Sequence, residues 1–331
     1  MSREENKKLK FIYNPLAGRA QITSKLSNII ETFVQNGYDV SIYPTQKYKD
    51  MVEQVEALED CYDLLVVSGG DGTLDEAVAG MMQRPLDKRI PIGYIPAGST
   101  NDFANSLGIS KNMPEAAYAA VNGVPFACDL GQMGEYYFVY VAAFGAFTEV
   151  SYDTPRELKN VLGHLAYVVE GAKSLPDIKP YHMKVTYGDK TIEGDFLYGM
   201  VSSSKSIGGY SNIVGKQDCM FDDGLFEVTL IKNPEDPIEM QSILSSILIK
   251  SLDSENIIMF KANRISFECE DEVSWTIDGE YGGTHRSVEI KNLNKAFEII
   301  LDAEDVKGLS VDYLSEEEQT ALKLLRGTLD E

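Results

Sequence analysis

The sequence is short of the residues that most often build metal and redox centres. Its three histidines, His164, His182 and His285, have neither H-E-x-x-H nor paired ligand spacing, so a histidine-based metal site is not expected. Four cysteines, Cys61, Cys128, Cys219 and Cys269, lie at least 50 residues apart, with no C-x-x-C pair for zinc or thiol exchange. This usage leads to the expectation of a reduced, cytoplasmic protein. Basic residues are also scarce: 30 Lys and Arg face 52 Asp and Glu, a formal net charge of −22. That excludes a main role in coating nucleic acid, because neutralising phosphates needs clustered positive charge. No run of about 18 apolar residues offers a membrane span, and residues 1–10 lack the apolar stretch of a secretory signal. Internal repeats and low-complexity tracts are missing too.

What remains has ordinary globular composition, 44% hydrophobic and 25% charged over 331 residues. At about 150 residues per domain, the length suggests two domains. Residues 1–125 read as alternating strands (9–13, 38–43, 63–67, 90–95) and helices (22–36, 51–58, 73–82 and one ending at Leu107). Ile22, Leu26, Ile29, Ile30 and Phe33 recur at helical spacing with Gly37 as cap, and Thr73-x-x-Glu76 has capping-box form. Such alternation implies a parallel α/β sheet. Over residues 126–305 the pattern changes to strands, at 136–143, 181–187, 194–202, 225–231 and 264–268, with helical insertions at 155–174 and 237–250. A last helix is expected from Ser315-x-x-Glu318 to just before Gly327, with Leu322, Leu324 and Leu325 as its apolar side. Residues 306–331 are expected to join the first domain.

The most informative stretch is Val66-Val67-Ser68-Gly69-Gly70-Asp71-Gly72-Thr73-Leu74. An apolar strand feeds three glycines, which allow close approach of backbone to a ligand, and then a helix whose free amides can receive phosphate. Asp71 is the carboxylate of this turn, positioned for Mg²⁺ or a bound water. A dinucleotide fingerprint does not fit, since Asp75 stands where its third glycine belongs. Nor does a Walker A loop: between Gly209 and Lys216 there are five residues separating the glycines, and Gln217 follows. Two further loops follow strands. One is Asn14-Pro15-Leu16-Ala17-Gly18, with Arg19 beyond it as a phosphate partner; the other is Pro96-Ala97-Gly98-Ser99-Thr100-Asn101-Asp102. Taken singly, each reads equally well as a turn plus helix cap. Together, at the carboxyl ends of strands in one α/β sheet, they converge on one crevice.

G-G-D-G-T, the upstream N-P-x-x-G and the downstream G-[ST]-x-N-D-F-A resemble the diacylglycerol kinase catalytic family. That family includes bacterial soluble lipid kinases and ceramide and sphingosine kinases, and is related more distantly to NAD kinases. Asp222-Asp223-Gly224-Leu225-Phe226 is similar to its D-G-x-[LF] segment and Ile277-Asp278-Gly279-Glu280 to its D-G-E segment, so the likeness covers nearly the whole chain.

The resemblance implies an α/β nucleotide domain followed by a β-sandwich-like domain for the lipid. It implies an ATP-dependent lipid kinase, with diacylglycerol going to phosphatidic acid as the leading reaction. Asn14, Pro15, Gly18, Arg19, Thr45, Gly69, Gly70, Asp71, Gly72, Thr73, Leu74, Ser99, Asn101 and Asp102 would line the nucleotide site. Asp71, Asp102 and Asp129 would form an acidic cluster organising Mg²⁺. A structural Mg²⁺ would sit on the Asp223 side chain and the carbonyls of Met220 and Leu225. The base that takes the lipid hydroxyl's proton would be Asp278 or Glu280, a choice the sequence leaves open. Hard Mg²⁺ prefers oxygen ligands, so scattered carboxylates suffice without His or Cys. The expected partners are ATP, a lipid, transient contact with a membrane surface, and a second copy of the chain; nucleic acid is excluded. The apolar circumference of residues 155–174 makes that helix the expected resting place of a lipid tail.

Two departures stand out. Asn105 lies where many bacterial members carry Arg, and Tyr140 where they carry Asn; Arg19, Lys205 or Lys216 could replace the lost phosphate clamp. A kinase of a soluble substrate is an alternative, since NAD kinases share G-G-D-G-T, although N-D-F-A, D-G-E and the apolar helix weigh against it. A catalytically silent nucleotide- or lipid-binding regulator is another, supported by Asn105 and Tyr140. Finally, a chain this negative is repelled by anionic leaflets, which limits membrane contact to a local apolar or basic patch.

Overall fold

The computed structural model describes residues 7–18, 20–145, 179–204, 206–207, 210–211, 219–248 and 255–330. The chain divides into two compact units, Met1–Asp129 with Lys295–Tyr313, and Leu130–Asn294 with Leu314–Glu331.

In the first unit the described elements are β1 (Lys7–Tyr13), α1 (Ile22–Gln35), β2 (Tyr38–Pro44), α2 (Asp50–Glu56), β3 (Leu64–Gly69), α3 (Asp71–Gln83), β4 (Ile92–Pro96), α4 (Asp102–Leu107), α5 (Met113–Asn122) and the start of β5 (Val124–Met133). β1 lies between parallel partners β2 and β3, with Phe11 opposite both Ile42 and Val66, and β3 pairs in parallel with β4. Every residue of β3 is buried, as a strand covered on both faces should be. Ile22, Ile29 and Phe33 of α1 pack with Leu9, Phe11 and Val66, and Gly37, at φ +83°, closes the helix. The expected capping box does not form. α3 begins two residues before Thr73, with Gly70 extended at its start; Glu76 instead accepts from the Lys49 N–H at 3.3 Å.

The second unit contains β6 (Tyr136–Phe138), β7 (Val141–Gly145), β8 (Tyr181–Tyr187), β9 (Lys190–Ser202), β10 (Ser206–Ile207), β11 (Tyr210–Ser211), β12 (Phe226–Lys232), α6 (Pro237–Leu248), β13 (Ile257–Ala262), β14 (Arg264–Ile277) and most of β15 (Glu280–Leu301). Antiparallel pairing runs β13-β12-β9-β7-β14, with β8 joined to both β9 and β14. Its core gathers Phe144, Phe196, Phe226, Phe267 and Trp275. The single strand expected at 136–143 breaks at Val139 and Tyr140, because their amides donate to a side chain, that of Asp278. β14 runs on to Ile277 through an acidic stretch whose register with β15 shifts between Glu268 and Val273. The helix expected at 155–174 lies outside the described residues.

Two short segments complete the chain. α7 (Ala303–Val306) lies in the first unit, α8 (Glu316–Asp330) in the second. The expectation that residues 306–331 join the first domain is thus corrected: Lys295–Tyr313 does so, and the terminal helix does not. α8 is fastened by Arg326 to the carbonyls of Asp223 and Asp222. The Ser315–Glu318 box closes as expected, but the helix passes through Gly327, and Leu324 is 69% exposed rather than buried. Among the described residues no helix is long and apolar enough to cross a membrane.

Candidate functional site

Three loops of the first unit meet at backbone contact distance. The Asn14 N–H donates to Ser68 O at 2.8 Å, and the Ala97 N–H to Gly69 O at 2.7 Å, so each loop continues from a paired strand. A Cβ on Gly98 would lie 2.5 Å from Gly70 Cα, and one on Gly18, whose φ is +54°, 2.3 Å from Ala97 O. Only glycine fits such an approach. The Asn14 side chain accepts from the Leu16 N–H at 2.9 Å, forming the turn that brings Pro15 and Gly18 round. Asn101, in the left-handed region at φ 56°, exchanges two hydrogen bonds with Gly98 and thereby fixes the loop carrying Ser99. Thr45 follows β2, its N–H donating to Tyr13 O at 2.9 Å. Thr73 packs where a Gly69 side chain would stand. Gly72 opens α3 beside Asp71. Arg19, Lys205 and Lys216 lie outside the described residues.

Asp71 sits at the centre of this arrangement. Its Oδ1 accepts from the Phe103 N–H at 3.3 Å, tying the start of α3 to the start of α4. Burial, then the charge of Asp102, push its carboxyl up to about 6, and the backbone N–H groups of Asp102, Phe103 and Asn101 only partly offset this. Asp102 is itself buried. Asp129, also buried, accepts from the Lys295 N–H at 2.9 Å. Of the expected acidic cluster, Asp71 and Asp102 are close enough for their charges to interact, and among the described residues no three carboxylates are grouped for a metal ion. Asn105, at the departure from the family pattern, donates to Thr100 O at 3.1 Å and so braces the same loop.

In the second unit, the Asp278-Gly279-Glu280 turn separates its two carboxylates. Asp278 is buried at φ 48°; its Oδ2 accepts from the Val139 N–H at 2.7 Å and its Oδ1 from the N–H groups of Tyr140 and Val141 at 3.1 and 2.8 Å. The Tyr140 hydroxyl donates to Asp278 O at 3.0 Å, so the second departure from the family pattern belongs to this turn. Glu280 is exposed.

The Asp222–Leu225 turn differs from expectation. Asp223 Oδ1 accepts from the Leu225 N–H at 2.9 Å, and Lys261 Nζ stands 3.3 Å from Asp223 Oδ2 and 3.1 Å from Glu227 Oε1. Burial pushes the Asp223 carboxyl up and that of Glu227 to about 7, against the pull of Lys261. Burial lowers the Lys261 ammonium, but the two carboxylates outweigh it and raise it overall. Neither Lys261 nor Glu227 was singled out from sequence. The available signal was a lysine inside the otherwise apolar run Ile257–Ala262.

Glycine-rich loops closing on a half-buried carboxylate at the ends of parallel strands define an α/β enzyme that handles phosphate groups. A model of the diacylglycerol kinase catalytic domain matches residues 8–133. A diacylglycerol kinase of Bacillus subtilis (strain 168) is 33% identical over 305 residues, covering 92% of this chain and 99% of its own. One from Staphylococcus aureus (strain MRSA252) is 32% identical, covering 84% and 87%. The crystal structure of a candidate diacylglycerol kinase from Bacillus anthracis str. Sterne superposes with a TM-score of 0.77 at 26% identity, covering 92% of this chain and 98% of that one. The chain belongs to the diacylglycerol kinase family. It is a lipid kinase with ATP as co-substrate.

Proposed function

We propose that the enzyme transfers the γ-phosphate of ATP to the free hydroxyl of diacylglycerol, giving phosphatidic acid. The observation that carries this reading is the contact of the three loops around Asp71. Glycine-rich loops that end in a helix start suit a triphosphate, and Asn14, Pro15, Gly18, Thr45, Gly69, Gly70, Gly72, Thr73, Ser99 and Asn101 are the residues proposed to bind it. Asp71 and Asp102 fit Mg²⁺ accompanying the nucleotide, since a half-buried and a buried carboxylate that repel one another are relieved by a hard cation. When bound, that ion offsets triphosphate charge.

Glu280 is the proposed general base. It takes the proton of the lipid hydroxyl as the oxygen bonds to the γ-phosphorus, and the bond to the bridging oxygen breaks to release ADP. Asp278, engaged by backbone N–H groups of Val139, Tyr140 and Val141, is proposed as a positioning residue that fixes the turn. The lipid is reached by transient contact with a membrane surface. The two carboxylates are distinguished by kinetics and melting. Glu280→Gln should cut kcat by about 10²-fold or more with the unfolding midpoint unchanged. Asp278→Asn should destabilise by roughly 1–3 kcal/mol, because a donor group then faces backbone N–H groups. If Glu280→Gln keeps normal kcat while Asp278→Asn is inactive at full stability, the assignment is reversed.

A further inference from the structure

The turn expected to hold a structural Mg²⁺ already contains a cation of the chain's own. Glu227 of β12 and Lys261 of β13 stand directly opposite one another in the sheet, so the strand register itself delivers the ammonium to this spot. Asp223 and Glu227 expose only 1% and 2% of their side chains, and Lys261 18%. Donors of the chain also reach other acceptors of the turn. Glu227 Oε2 accepts from Cys219 Sγ at 3.4 Å, and Asp223 Oδ1 from the Leu225 N–H. Asp222 O accepts from Asn294 Nδ2 at 3.1 Å, and the Arg326 guanidinium donates to the carbonyls of Asp222 and Asp223.

A divalent ion on Asp223 would have to share that carboxylate with an ammonium 3.3 Å from it, and the two cations would repel. The Asp223 carboxylate, so engaged, does not fit the expected metal. We infer that Lys261 replaces the structural cation at this turn: its ammonium neutralises Asp223 and Glu227, with Arg326 holding the turn's carbonyls from α8. The unit's stability is therefore independent of a divalent ion here, whatever lipid the enzyme phosphorylates.

The test is thermal unfolding of the nucleotide-free full chain in excess EDTA and in saturating MgCl₂. The native protein should show no Mg²⁺-dependent rise in midpoint that Asp223→Asn abolishes; a rise that persists in Asp223→Asn belongs to Asp71 and Asp102 and leaves the inference standing. Lys261→Met strands two buried carboxylates, and should lower the midpoint by about 10 °C. A midpoint unchanged in Lys261→Met, or an Mg²⁺-dependent rise lost with Asp223→Asn, overturns the inference. Should Lys261→Met fail to fold, the comparison of native protein with Asp223→Asn decides alone.

Discussion

Asp71 lies where the starts of α3 and α4 are tied together in the first unit. Its carboxyl is pushed up to about 6 by burial and by Asp102, so the folded state binds a proton that the unfolded chain has already lost. That preference stabilises the fold fully below the ordinary Asp range and is lost as pH rises from about 4 to about 6. Measured without Mg²⁺ or nucleotide, the native protein should lose on the order of 3 kcal/mol relative to Asp71→Asn across that window, then run parallel to it. A pH-independent difference between the two would contradict the electrostatic account. Asp71 itself was legible in the sequence, because three glycines around a carboxylate after an apolar strand have few other uses. The role of Lys261 was not, because its importance comes from a cross-strand neighbour, Glu227, that only the register of β12 on β13 reveals.

At the scale of elements, agreement between sequence and structure follows locality. β8 spans the residues its alternation suggests, and α1 ends at its glycine, since both depend on nearby side chains. The break between β6 and β7 depends instead on Asp278, 138 residues beyond Tyr140, and no local pattern could announce it. The early start of α3 has the same character: Gly70 and Gly98 must touch, and the helix begins where that contact allows. Gly98→Ala tests it. A Cβ would come within 2.5 Å of Gly70 Cα, so the loops must part, with an expected cost of about 1–3 kcal/mol and weaker ATP binding by calorimetry. Unchanged affinity and midpoint would show that the loops do not need to meet.

For the whole molecule, the formal charge of −22 bears on the proposed contact with a membrane surface. Repulsion from anionic leaflets should make phosphorylation slower in anionic than in zwitterionic vesicles at low salt, with the gap closing as salt shortens the screening length to about 8 Å. Faster turnover on anionic vesicles at low salt would instead reveal a basic docking patch. The domain organisation was half legible: the change from alternating elements to strands put a boundary after residue 125, against the division after Asp129, whereas the return of Lys295–Tyr313 to the first unit rests on tertiary contacts such as that of Phe103 with Phe297. The central claim is that the loops around Asp71 deliver phosphate to a lipid alcohol. It is tested most directly by incubating purified protein with γ-labelled ATP, Mg²⁺, dispersed diacylglycerol and NAD together. Label should appear in phosphatidic acid with the native chain and be lost with Asp71→Asn, whereas label in the phosphorylated dinucleotide, or undiminished lipid labelling by Asp71→Asn, would contradict the account.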